Sequence, residues 1–392
     1  MKKKRRLKKS AKILFASIGI ILVGLVIFLA LNNSNSKKDK KETTKEENKE
    51  PVIVEPEQIK PSNRIRLAMV GDVLIHEAVY RDADLGNGNY DFSHMFTYIP
   101  DLIDGYDLKY FNQESIIGGK NLGISAYPSF NSPDEIGDTL VNLGFNMVSL
   151  ANNHTADRGQ AAIDYTINYW KSKDIIMAGS YASEAERNEV KVYEMNGIKF
   201  AFFSYTTVTN VNASTSYALN MYSNEKAKMD IENARNAGAE AIIVAMHWGE
   251  EYTNEELYSQ QVIAEYLASL GVNVIIGAHP HVVEPITYIG NTLVIYSLGN
   301  FISNQLVLGI NPGTGLFVGV DIVKNDDGTI SFENLNYELL LQYSDENDAN
   351  FSVIPYSKLN DSILNNYEVY KAKYEAVVER YMEIWKRKKI IK

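Results

Sequence analysis

Apolar residues in this chain come in short unbroken runs that end in polar clusters, the pattern of strands buried on both faces. Leu67-Ala68-Met69-Val70 leads into Gly71-Asp72 with His76 close behind, and Met147-Val148-Ser149-Leu150 leads into Asn152-Asn153-His154. Ile242-Ile243-Val244-Ala245 leads into His247-Trp248-Gly249, and Val274-Ile275-Ile276 into Gly277-Ala278-His279-Pro280-His281. Residues 158–173 and 254–270 lie between such runs and place apolar side chains at helical spacing, which predicts βαβ units. A shorter helix is predicted over residues 134–143, opened by a capping box of Ser132 and Glu135 and stopped at Gly144. After His281 the runs at 284–288, 292–297, 315–323 and 329–338 alternate with short Gly or Asn turns. They predict antiparallel strands forming a mixed second sheet beside a parallel-rich first. Residues 360–388 read as one long helix, with Ile363, Tyr367, Tyr370, Tyr374, Val377, Tyr381 and Trp385 on one stripe.

The N-terminus follows other rules. Residues 2–12 hold eight Lys or Arg and no acid, and residues 13–31 are an uncharged apolar run of 19, close to the ~20 a helix needs to cross a bilayer. Positive charge before the span keeps residues 1–12 cytoplasmic and sends the remainder outside the cell. A cleaved signal would have a shorter apolar stretch and small residues at its end, whereas this run closes Phe28-Leu29-Ala30-Leu31. The expectation is therefore an uncleaved, single-pass membrane anchor. Residues 32–62 are polar and charged, a solvated tether. A domain is expected over 63–340, with a C-terminal extension carrying the long helix over 341–392.

Composition narrows the class of partner. The formal charge is −10, and removing the basic N-terminus and the charge-balanced tether leaves about −18 on the remainder. Such a surface argues against nucleic acid. Cysteine is absent, so neither a disulfide framework nor thiolate chemistry enters.

The chemistry lies at the strand ends, where five of the six histidines stand. In α/β sheets ligands collect at the carboxyl ends of strands, so these motifs are expected to converge on one site. Asp72 and Glu114 offer carboxylates, Asn153 an amide oxygen, and His247, His279 and His281 imidazole nitrogens. Mixed nitrogen and oxygen donors of this kind suit one or two divalent ions such as Zn, Mn, Fe or Co. A lone Asp or Asn after a strand is usually a turn former, and it is the coincidence of several that argues for a metal site. His94 has no such neighbours and is expected outside it.

Gly71-Asp72, Asn112-x-Glu114, Asn152-Asn153-His154, Asp157-x-Gly159, His247-Trp248-Gly249, Gly277-x-His279-Pro280-His281 and Ser297-Leu298-Gly299-Asn300-Phe301 together resemble the capsule-synthesis family of CapA type, linked to poly-γ-glutamate production. That family in turn resembles the calcineurin-like metallophosphoesterases. The resemblance implies an α/β fold of the metallophosphatase-like kind, a four-layer α/β/β/α sandwich with a metal centre at the strand ends, for residues 63–340. It implies Asp72, Glu114, Asn153, His247, His279 and His281 as metal ligands and His154 as general acid, with His76, Asn112, Asn152, Asp157, Trp248 and Asn300 as further candidates. Two departures stand out: Leu74 occupies the position of a phosphoesterase histidine, and Asn112-Gln113-Glu114 replaces a bridging aspartate motif.

The resulting expectation is a membrane-anchored, extracellular, metal-dependent hydrolase or transferase acting on an anionic envelope polymer such as poly-γ-glutamate. The anchor would also place it beside membrane synthase subunits. Two alternatives remain open from sequence: a non-catalytic, polymer-binding subunit of a synthase, and a phosphodiesterase of envelope phosphoesters.

Overall fold

A computed structural model describes residues 62–382. The expected cytoplasmic segment, the membrane anchor at 13–31, nearly all of the tether and the basic C-terminal end lie outside the described residues. Among those described, no helix is long and apolar enough to cross a membrane.

The strands in chain order are β1 (Arg64–Val73), a small hairpin of β2 (Asp84–Gly86) and β3 (Asn89–Tyr90), β4 (Leu108–Gln113), β5 (Met147–Ser149), β6 (Ile176–Ala178), β7 (Tyr193–Met195), β8 (Ile198–Thr206), β9 (Ala241–His247), β10 (Val274–Ala278), β11 (Ile286–Ile289), β12 (Thr292–Ile295), β13 (Asn300–Ile302), β14 (Thr314–Lys324), β15 (Ile330–Tyr343) and β16 (Ser352–Pro355). They build two large sheets. One runs β16-β15-β14-β1-β4-β5-β6 with β13 also paired to β1, and the other runs β11-β12-β10-β9-β8-β7.

Alternation along the central strands explains how the sheets stack. Leu67 and Met69 of β1 join Ile243 and Ala245 of β9 in a core between the sheets. Their neighbours Ala68 and Val70 turn the other way, onto Ile136, Leu140, Ile163, Ile167 and Trp170 of the helices Asp134–Asn142 and Gly159–Ser172. On the far side, Ile242 and Val244 meet Ala227, Ile231, Ala264 and Leu267 of the helices Asn224–Asn236 and Tyr258–Ser269. The order is helices, sheet, sheet, helices. Every central strand is thus apolar on both faces, which is why its sequence reads as a run and not as an alternation.

Several expectations change. The later strands do not share one mixed sheet but divide between the two: β14 joins β1, with Arg64 opposite Val323 and Met69 opposite Val318, while β11 and β12 extend the other sheet. The β11–β7 sheet therefore has a parallel centre with an antiparallel strand at each edge, whereas the β1 sheet is antiparallel on the β14 side and parallel from β1 through β4 and β5 to its edge strand β6. The division expected at residue 340 falls inside β15, which pairs with β16, and Tyr374 and Val378 beyond it are buried in the core between the sheets. The long helix is shorter than expected, spanning Tyr367–Val378. Asn366 before it is left-handed (φ 57°) and residues 379–381 form a turn. The Ser132 capping box is absent, because Ser132 Oγ instead donates to Ser115 Oγ at 2.8 Å and Glu135 pairs with Lys120.

Strand ends meet closely where glycine permits it. A Cβ on Gly71 would lie 1.8 Å from the Gly299 carbonyl oxygen, and one on Gly277 1.8 Å from that of Tyr296. Both obstacles are backbone, so neither gives way by a rotamer change. Gly71→Ala should therefore cost at least the ~1–3 kcal/mol typical of overpacking, read as a lower urea midpoint. An unchanged midpoint would contradict this packing.

Candidate metal centre and cleft

The carboxyl ends of β1, β4 and β5 in one sheet and of β9 and β10 in the other open onto the same edge. Asp72 is the penultimate residue of β1 and is fully buried. Its Oδ1 accepts from Asn112 Nδ2 at 2.7 Å, and its Oδ2 accepts from the His279 backbone N–H at 3.3 Å. Asn112 is itself held, since its Oδ1 accepts from Ser149 Oγ at 2.6 Å and Tyr110 OH lies 2.7 Å from that hydroxyl. A buried polar chain from Tyr110 through Ser149 and Asn112 thus fixes the Asp72 carboxylate.

Glu114 stands one residue past β4, its backbone N–H donating to Val73 O at 3.2 Å. It is fully buried, and neither carboxylate oxygen has a hydrogen-bond partner. His247 Nε2 lies 3.5 Å from Oε1 and His281 Nδ1 3.6 Å from Oε2. Asn153 Oδ1 lies 2.9 Å from His247 Nε2. His279 and His281 both have positive φ, 98° and 58°, an uncommon backbone state for residues with a Cβ. Strain of this kind persists where surrounding structure imposes it, and here it turns the two imidazoles of one short segment into the same space.

Electrostatics follow from burial. Desolvation pushes the Glu114 carboxyl well above the ordinary carboxylate range, against the pull of His281. Burial, then the neighbouring imidazoles, pushes His247 well down, and burial with His281 beside it lowers His279 to about 4. His281 goes the other way: burial opposes its charge, but Glu114 and Asp72 outweigh this and raise it to about 9. The two carboxylates thus draw positive charge into the pocket.

Three groups of donor atoms lie within 4.8 Å of one another: Glu114, His247 and His279; Asp72, Glu114 and His281; and Glu251, His279 and His281. The donor set fits a divalent ion. The unpartnered atoms, both oxygens of Glu114 and Nδ1 of the buried His279, are the ones a cation would satisfy, and buried polar groups left unpaired are otherwise costly.

A cleft of about 560 Å³ opens beside this cluster, lined in part by His76, Phe130, Asn153, His154, Asn210, Glu251, Tyr252 and His281. His154 Nδ1 lies 2.7 Å from Asp157 Oδ2, which also accepts from the Phe130 N–H at 2.8 Å. The Phe130 ring packs edge-on to His154 at 4.7 Å, and Asn210 Nδ2 stands 3.5 Å from the imidazole. This orients the ring without using Nε2 in any shorter contact.

The remaining candidates take supporting places. Asn152 holds the turn, accepting from the His154 N–H at 3.0 Å and donating to Gln113 O at 2.6 Å. Asn300 Oδ1 lies 2.9 Å from His281 Nδ1, while its amide donates to Gln305 Oε1 at 2.8 Å. His76 lines the cleft but belongs to none of the donor groups, its Nδ1 lying 3.2 Å from the Asn304 N–H nitrogen. Trp248 is not in the site. Its indole is buried in the core under the outer helices and donates to Tyr296 O at 2.9 Å. His94 lies apart, on the exposed surface with Asp82 at 3.0 Å. Sequence reasoning missed Glu251, whose one signal is its place four residues after His247, and Asn210 and Phe130, which stand in no strand-end motif.

A metal-capable centre at the shared strand-end edge of two stacked mixed α/β sheets is the class that fold and site define. Residues 66–305 match the family model described as Bacterial capsule synthesis protein PGA_cap, and the chain belongs to that family. It is similar to the Capsule biosynthesis protein CapA of Bacillus anthracis, with 25% identity over 64% of this chain and 63% of the relative. It is also similar to the PGA biosynthesis protein CapA of Bacillus subtilis (strain 168), with 29% identity over 42% of this chain and 44% of the relative. The matches thus span less than two thirds of either relative's length. Similar solved structures include the calcineurin-like phosphoesterase YfkN of Bacillus subtilis, at 16% identity over 70% of this chain and 90% of that one with a TM-score of 0.42. The NAD nucleotidase NadN of Haemophilus influenzae has 10% identity over 83% and 68%, with a TM-score of 0.42.

Moving Trp248 from site to core has a measurable consequence. Trp248→Phe removes one buried hydrogen bond and some packing, and should lower stability by about 1–3 kcal/mol while leaving bound metal at the wild-type level. Metal loss in a variant that still melts cooperatively would return Trp248 to the site.

Proposed function

We propose that this capsule-synthesis protein is a metal-dependent hydrolase or transferase of metallophosphatase-like type, acting outside the cell on an anionic envelope polymer, with poly-γ-glutamate as the substrate. The observation that carries this reading is the buried, unpartnered Glu114 carboxylate among imidazoles, beside a cleft into which the oriented His154 opens. The family, and the PGA biosynthesis named for the Bacillus subtilis relative, support the choice of polymer.

Glu114, Asn153, His247 and His279 would hold one ion, and Asp72, Glu114 and His281 a second. Bound there, divalent metal supplies an activated water and stabilises charge growing on substrate oxygens. The chain's own residues do the rest. Asp157 accepts the Nδ1–H of His154, which fixes the tautomer and the direction of the ring, so Nε2 is the atom that would deliver a proton to the departing group. The cleft lining contains no Lys or Arg. A substrate as acidic as polyglutamate would therefore find its positive charge only where Asp72, Glu114, Asn153, His247, His279 and His281 would hold metal, on a protein whose net charge repels it.

Metal analysis and turnover on poly-γ-glutamate and model phosphoesters test this with the full-length protein. Chelation should abolish turnover and added Mn²⁺ or Zn²⁺ restore it. His279→Ala and His281→Ala should lose bound metal, whereas His154→Ala should keep it and lose about 10²- to 10⁴-fold in turnover. Equal metal loss in all three folded variants would make His154 a ligand. Full activity in metal-free protein would sink the reading.

The same proposal places residues 1–12 in the cytoplasm, the span at 13–31 in the membrane and the large domain outside. Protease added to intact cells should digest that domain. Its protection, or a mature N-terminus near residue 31, would overturn the anchored topology.

A further inference from the structure

The turn after β9 is tied to the segment that carries His279 and His281. The Trp248 N–H donates to Ala278 O at 3.0 Å, the Tyr252 N–H to Pro280 O at 2.8 Å, and Asn254 Nδ2 to Val283 O at 2.8 Å. Gly249 (φ +90°) and Tyr252 (φ 67°) reverse the chain between these ties. The buried Trp248 indole anchors the start of the turn in the outer core. The loop is therefore held against its neighbour at three points, with Glu250 and Glu251 between them.

The two glutamates differ. Glu251 brings a carboxylate oxygen to within 4.8 Å of donor nitrogens of both His279 and His281, while Glu250 belongs to no such group. Two observations beyond the cluster point to a ligand there. His279 is only 7% exposed and its Nδ1 has no hydrogen-bond partner. His76, the nearest imidazole to follow Asp72 in sequence, lines the cleft but belongs to none of the donor groups, and its Nδ1 accepts from the Asn304 N–H at 3.2 Å. His279 and His281 thus share a donor group with one further carboxylate, that of Glu251, which stands in the cleft lining beside His281.

We propose that Glu251 is a protein ligand of the metal centre, closing the ion position on its cleft side together with His279 and His281. This rests on the metal-dependent reading above. Of the six residues in the three donor groups, Glu251 alone is exposed. It is therefore the ligand that an incoming substrate carboxylate would replace, oxygen for oxygen, without uncovering a buried charge.

Divalent-metal titration of the full-length protein, using Mn²⁺ alone and read by calorimetry and by metal content after desalting, tests the assignment. Glu251→Gln, which keeps the shape and removes the charge, should weaken or abolish the binding of one ion by at least the ~10- to 100-fold that even an outer-shell loss costs a metal site. Glu250→Gln should bind as wild type, and Glu251→Asp should recover part of the affinity. Without metal, Glu251→Gln should melt at the wild-type temperature, and added Mn²⁺ should raise its melting point less. Wild-type stoichiometry and affinity in Glu251→Gln would overturn this assignment and leave the metal-dependent reading intact. A wild-type protein that binds no Mn²⁺ would overturn that reading and this one with it.

Discussion

Removing a carboxylate from water costs several kcal/mol unless positive charge or hydrogen-bond donors compensate it, and Glu114 sits under that constraint without a single hydrogen bond to its side chain. Asp72 beside it is served by Asn112 Nδ2 and a backbone N–H, so the compensation missing from the pocket is concentrated on Glu114. His281 supplies part of it, its Nδ1 lying 3.4 Å from Asp72 and 3.6 Å from Glu114, two carboxyl groups that raise its pKa against the effect of burial. A divalent ion would supply it more completely, since the Glu114 oxygens and the unpartnered His279 nitrogen are the atoms that would hold it. The edge of the molecule is arranged around that requirement.

The fold meets the requirement by bringing strand ends of two sheets to one place. Parallel β1, β4 and β5 deliver Asp72, Glu114 and Asn153 from one side, and parallel β9 and β10 deliver His247, His279 and His281 from the other. Glycines at 71 and 277 let β1 and β10 lie against neighbouring backbone where any side chain would intrude. The core between the sheets fixes their separation, so the imidazoles of one reach the carboxylates of the other. Positive φ at His279 and His281 is maintained by this packing and by the turn carrying Tyr252.

Much of this was legible in the sequence because buried parallel strands write themselves as apolar runs, and their polar tails mark the functional edge. What failed to show was set by distant partners. Nothing near residues 314–324 says that they pair with residues 64–69, so the runs at 315–323 and 329–338 read as part of a second sheet although they extend the first. Ser132 and Glu135 have the spacing of a capping box, yet Ser115 and Lys120 claim their side chains. Trp248 borrowed a functional look from His247 next to it, although its direction off the strand sends it into the outer core. Glu251 was invisible for the opposite reason: one exposed glutamate beside another in an acidic chain carries no periodicity. Only the turn that folds back onto His279 and His281 distinguishes the two.

The central claim is that Glu114 is the buried anchor of a metal centre, and anomalous diffraction from crystals grown with Zn²⁺ tests it most directly. An anomalous peak is expected at about 2.0–2.2 Å from a Glu114 oxygen and from imidazole nitrogens of His247 and His279. A saturated crystal with no peak in this pocket, and with the Glu114 carboxyl hydrogen-bonded directly to His281, would contradict it.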